Sequence, residues 1–194
     1  MAERATFIRS LHALGVAAWF GGSLMGAVGV NGAADEAKDP TERLRLSSIG
    51  WAKWTPWQVA AVGVHAVGGI GLLISNRRRS RQQPGAHANN LVKMVVTAAA
   101  AGVTAYSGVL GAKVAKHSEE GAAGSVTPGS TSSAELASAQ RQLKVCQWAI
   151  PALSGTLIVL GAIHGEQQRG VAGLLDLGSD EVFHGVKQAV RKVL

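Results

Sequence analysis

The chain has 194 residues, of which 47% are hydrophobic and 16% charged, with 25 glycines, one cysteine and a formal charge of +7. A single cysteine excludes an internal disulfide and every multi-cysteine zinc or iron–sulfur centre. The basic excess lies beside uncharged runs, which marks it as a topology signal and a phospholipid contact and not as a nucleic-acid surface.

Four stretches contain no Asp, Glu, Lys or Arg: residues 10–34, 54–76, 94–112 and 145–165. Each has the length that an α-helix needs to cross roughly 30 Å of hydrocarbon at about 1.5 Å per residue. The sequence therefore predicts an all-α integral membrane four-helix bundle within residues 1–166, with spans at about 10–34, 54–76, 92–112 and 145–165. Residues 167–194 form a cytoplasmic tail with an amphipathic surface helix.

The first span follows Arg4 and Arg9 and is too long for a signal-peptide core, so it is expected to stay as a helix. Ala18, Gly22 and Gly26 recur every four residues on it, the spacing of a helix-packing face. In the connection that follows, Asp39 reads as an N-cap before Pro40, opening a short surface helix over residues 41–48. Trp51, Trp54 and Trp57 begin the second span and Trp148 begins the fourth, where indoles anchor a helix at the membrane interface. Pro56 is placed in the first turn of the second span, where a missing N–H costs little.

After the second span come Arg77, Arg78, Arg79, Arg81 and Lys93 with no acid among them. Short basic loops stay cytoplasmic, so both termini are cytoplasmic as well and the membrane is of the bacterial inner type. Ala98 and Gly102 on the third span, and Gly161 and Gly165 on the fourth, repeat the small-residue spacing. Between those spans, residues 121–133 are nearly all Gly, Ser, Thr, Ala and Pro, which predicts a mobile loop without a core. Residues 133–144 read as a helix entering the fourth span with few apolar anchors, and Pro151 should kink that span. Ser179 is placed as the cap of a terminal helix with valines on one face and Lys187, Arg191 and Lys192 on the other.

No charged residue interrupts a span, which weighs against ion pumping. No phosphate-binding glycine loop, nucleophile elbow or HExxH motif is present, so the chain reads as non-enzymatic. Histidine is the ionisable type inside the spans. His12 and His164 fall near the cytoplasmic ends of antiparallel helices, at one depth; His65 lies mid-span, roughly 16 Å from that end by helical rise. Two imidazoles at one depth can serve as axial ligands of a haem b, with His65 as a further candidate, or can simply hydrogen-bond at the headgroups. Met25 and Met94 fall on opposite sides of the membrane, so no metal site is assigned to them.

Leu11-His12 followed by Trp19-Phe20-Gly21-Gly22 resembles the opening of copper-resistance-D-like small four-helix membrane proteins, over about twelve residues. The resemblance implies a four-helix bundle. In relatives whose first-helix histidine is linked to haem or copper handling, the matching position here is His12. Two functions are therefore carried forward. The first is a non-enzymatic accessory or assembly subunit of a larger membrane complex, in contact with lipid and other subunits and without a cofactor. The alternative is a b-type haem-binding or copper-handling protein using His12 and His164.

Overall fold

A computed structural model describes the backbone of residues 2–75 and 84–191 and the side chains of residues 6–75 and 90–163. The elements are α1 (Ala2–Met25), a π-helical turn (Gly26–Val30), α2 (Asn31–Asp35), α3 (Pro40–Ser75), α4 (Pro84–Lys116), a single 3-10 turn (Ser118–Glu120) and α5 (Ala134–Arg191). Thr6–Asp35, Pro40–Ser75, Asn90–Lys116 and Ala134–Ile163 are each long and apolar enough to cross a membrane. The fold is an all-α four-helix bundle of membrane-spanning character; among the described residues the only extended pairing is an isolated bridge between Gly124 and Thr127.

The chain divides into two compact units, Met1–Ile158 and Val159–Leu194. The second carries the rest of α5, described there as helical backbone, and its side chains from His164 onward lie outside the described residues. The expected haem ligand His164, the expected packing residue Gly165 and the amphipathic face of residues 179–194 belong to that part.

In the first unit, α1 and α3 run antiparallel in close contact. The buried residues of α3 are Leu44, Ser47, Gln58, Ala61, His65 and Gly68. With the half-buried Trp51 and Trp54 filling the gap, they alternate steps of three and four, the spacing of a coiled-coil seam. Large meets small along it. A side chain at Gly26 would strike the Trp51 ring at 2.3 Å, and one at Gly22 the Trp54 ring at 1.8 Å. At the other end a side chain at Gly15 would lie 2.5 Å from the backbone nitrogen of His65, and one at Gly68 would lie 2.7 Å from that of His12. Backbones meet there because neither glycine has a Cβ.

The π-helical turn keeps this seam in phase. Val16, Trp19, Ser23 and Gly26 are buried at steps of three and four; the next buried residue, Asn31, comes five later. The Asn31 N–H reaches back to the Gly26 carbonyl, the five-residue bond of a π turn. One extra residue thus returns Asn31 to the buried face. α4 and α5 complete the unit through two apolar clusters. Trp19, Ala61, Ala100 and Ile150 form one; Leu44, Leu110, Val114, Ala122, Leu136, Ala139, Leu143 and Cys146 form the other.

Three sequence expectations need correction. The surface helix at residues 41–48 is not separate: α3 starts at Pro40 and continues unbroken to Ser75. Asp39 caps it as expected, its Oδ1 accepting the Thr41 N–H at 2.8 Å, but Pro56 consequently lies well inside the helix. The connection 121–133 does hold a core. Ala122 and Ser125 are buried, and Gly121 turns the chain at φ 69°, where a side chain would strike Pro40 at 2.9 Å. The entry to α5 is anchored by Leu136, Ala139, Gln140 and Leu143, all buried.

Candidate functional site

The candidate site is a line of polar side chains along α1 and its continuation, from the half-buried His12 to the exposed Asp35. At one end, the His12 and His65 rings stack at 3.9 Å between centroids and 18° between planes. His12 Nδ1 lies 2.8 Å from the His65 carbonyl, and His65 Nδ1 lies 3.0 Å from the His12 carbonyl. A carbonyl only accepts, so both Nδ1 atoms carry protons, and in a neutral ring Nε2 holds the lone pair. The exchange is reciprocal because the sequence is: His-Ala-Leu-Gly at residues 12–15 faces His-Ala-Val-Gly at residues 65–68. Each motif places an imidazole three residues before the glycine that lets the opposite backbone in.

The expectation that His65 lies mid-span, deeper than His12, is corrected: the structure puts the two side by side. The expected partner of His12 at the same depth, His164, has its side chain outside the described residues. The glycine crossing sets the register, and the position of each histidine within its own uncharged run does not. Stacked face to face, these two rings cannot lie on opposite faces of one haem. Among the described residues, no three His, Cys, Asp or Glu side chains converge where they could hold a metal ion.

Trp19 is fully buried, its Nε1 donating to Thr104 Oγ1 at 3.2 Å and its ring standing edge-on to His65 with 6.2 Å between centroids. Ser23 is also buried. Asn31 then joins three helices. Its Nδ2 donates to Gln147 Oε1 at 2.7 Å, and its Oδ1 accepts from Ser47 Oγ at 3.1 Å and Trp51 Nε1 at 2.9 Å. The Asp35 carboxylate accepts both the N–H (2.6 Å) and the hydroxyl (2.5 Å) of Ser125. Gln140 Nε2 donates to the carbonyls of Gly124 and Ser125, and Arg43 donates to those of Ala37 and Ala123. Polar side chains thus satisfy the backbone of the 121–133 connection, which is why a segment poor in apolar residues is ordered.

Two carboxylates at this cap are held below the usual range. Glu120 is lowered by the Ser133 backbone N–H, then by His117 and the Ser133 hydroxyl; Asp39 is lowered by the Thr41 hydroxyl and N–H.

Of the expected packing residues, Gly22 and Gly26 meet α3, but through indole rings and not through backbone. Ala18, Ala98 and Gly102 are exposed, with nothing within 4 Å of a side chain placed at Gly102. Gly161 lies in the second unit. Of the expected anchors, Trp57 and Trp148 are exposed at 68% and 54%, while Trp51 and Trp54 pack on glycines. Sequence reasoning missed Asn31, Asp35, Ser125, Gln140 and Gln147. The repeated His-Ala-x-Gly would have paired His12 with His65, and the step of three then four from Leu44 to Gly68 would have drawn Trp51 and Trp54 inward.

Comparison with family models, curated proteins and solved structures finds no match to this chain.

Proposed function

We propose that the chain is a non-enzymatic multi-pass inner-membrane protein that serves as an accessory or assembly subunit of a larger membrane complex. The observation that carries this reading is the open face of α4. Ala98, Gly102, Ala105 and Ala112 are exposed along one side of it, and a side chain at Gly102 would meet nothing within 4 Å. Small residues along a spanning helix let a second helix approach closely. The buried polar groups Asn31, Ser47, His65 and Gln147, by contrast, bond to other helices of the same unit. The basic run at residues 77–81 supports cytoplasmic termini.

The test is purification of tagged protein in mild detergent, with co-purifying chains identified by mass spectrometry. A stoichiometric membrane partner, lost on Gly102→Leu while the chain itself remains folded, supports the reading. A monodisperse chain with no partner sinks it. For orientation, cysteines introduced within residues 121–133 should react with an impermeant reagent in intact cells; reaction at Ser80→Cys instead reverses the topology.

One observation favours the second reading, haem or copper handling through His12. Its Nδ1 is tied to a carbonyl, a contact that orients a ligating imidazole and leaves Nε2 as the donor atom. His65, stacked on the same ring, would not be the second ligand. Sharp α and β bands in the reduced protein, abolished by His12→Ala, would establish haem.

A further inference from the structure

His117 stands at the last turn of α4, its N–H on the carbonyls of Lys113 and Val114 at 3.2 Å each. Its two ring nitrogens face two carboxylates from different elements. Nδ1 lies 2.6 Å from Glu120 Oε1 in the 3-10 turn, and Nε2 lies 3.7 Å from Glu135 Oε2 in the first turn of α5. Glu120 in turn accepts the N–H of Ser133 at 2.7 Å and its hydroxyl at 3.1 Å. Ser133 caps α5 by accepting the Leu136 N–H on its hydroxyl at 3.2 Å. One imidazole therefore touches the end of one spanning helix, the turn after it and the start of the next.

A neutral imidazole can donate through one nitrogen only. With Nδ1–H on Glu120, Nε2 presents a lone pair to a carboxylate oxygen, two acceptors facing each other. One added proton turns that apposition into an ion pair and leaves the Glu120 bond in place. Histidine is the side chain that changes charge between about pH 5 and 8. Among the surrounding charges, Lys113 pairs with Glu135 Oε1 at 3.8 Å, and Lys116 and Glu119 are exposed. From the start of α3, Arg43 holds the Ala37 and Ala123 carbonyls, Glu42 pairs with Arg45, and Asp39 accepts from Thr41.

We propose that His117 is a proton-operated clasp that fastens the connection between α4 and α5 when both ring nitrogens carry protons and slackens it when the ring is neutral. Both Glu120 and Glu135 must be ionised for the clasp to close.

Hydrogen exchange of the Glu120, Gly121 and Ser133 amides in the detergent-solubilised full chain tests it, at pH 6 and pH 8 after correction for intrinsic exchange. The wild type should be protected roughly two- to five-fold more at pH 6, the scale of one partly exposed ion pair. His117→Gln should abolish the difference. Glu135→Gln leaves the His117–Glu120 contact intact and removes the negative charge that faces Nε2; it should abolish the difference too. Equal protection of wild type and His117→Gln at both pH values overturns the proposal, as does an undiminished pH effect in Glu135→Gln.

Discussion

The two ends of the α1–α3 contact achieve helix association by opposite means. At the histidine end the backbones touch: Gly15 and Gly68 have no side chain, and the imidazoles bond directly to the opposite carbonyls. At the Asn31 end the partners are long polar or indole side chains reaching across from α3 and α5. Both solutions suit an interior that gains nothing from hiding apolar groups from lipid, where packing and interhelical hydrogen bonds must supply cohesion. They differ in tolerance. Backbone contacts cannot move aside, whereas an indole or an amide can rotate.

The largest effect should come from Gly15→Ala and Gly68→Ala. The new methyl would lie 2.5 to 2.9 Å from backbone atoms of the opposite helix, so the helices must separate and both histidine bonds lengthen. The cost should be on the order of 3 kcal/mol in equilibrium unfolding from mixed micelles. Gly22→Ala meets the Trp54 side chain first and not a backbone, and should cost about 1 kcal/mol as the ring shifts. If Gly22→Ala proves as costly as Gly15→Ala, the contrast between the two ends is wrong.

Next is Asn31→Ala, which leaves Gln147 Oε1 and Trp51 Nε1 without their partner in a buried place. A loss of about 1–2 kcal/mol is expected. Gln147→Ala should be non-additive with it, since the two share a bond. Strict additivity would mean that the hub is not a unit.

This contrast also explains what could be read in advance. Four spans, the all-α class and the Asp39 cap follow from local features: uncharged length, and a capping side chain ahead of a proline. The register between α1 and α3 depends on which small residue meets which large one across two helices, and no periodicity within one helix states that. Trp54 illustrates the difficulty. By composition it is an interfacial anchor; its place in the seam becomes visible only once Gly22 is known to lie opposite. The 121–133 connection was misread for a related reason. Its own residues are small and polar, and the groups that order it, Asp35, Arg43 and Gln140, come from elsewhere in the chain.

A smaller effect probes the cap by pH. The Glu120 carboxyl is held below its ordinary value near 4.5, first by the Ser133 N–H. A carboxyl depressed in the folded state stabilises above its unfolded value, and that contribution is lost as pH falls through the folded one. Wild-type protein should therefore lose melting temperature on acidification below about pH 4.5, and Glu120→Gln should show a shallower acid limb. Asp39, lowered by Thr41, acts with the same sign, so Asp39→Asn serves as the control that removes its share. Parallel acid limbs for wild type and Glu120→Gln would mean that the carboxylate does not hold the start of α5.

The smallest effect on the fold should be that of Gly102→Ala, and its smallness is what makes it informative. Nothing lies within 4 Å of the added methyl, so neither overpacking nor lost contact is available to it. Replacing a helix-interior glycine with alanine should if anything favour the helix, and the change in unfolding free energy of the isolated chain should stay within about 0.5 kcal/mol. Gly15→Ala adds the same methyl to the same kind of residue in the same bundle. A measured difference of roughly 3 kcal/mol between them would then report only what stands opposite each glycine: a neighbouring backbone in one case, open space in the other. Should Gly102→Ala destabilise the isolated chain as much as Gly15→Ala does, the face of α4 is covered from within the chain. It is then not free to receive a partner helix, and the accessory-subunit reading loses the observation on which it stands.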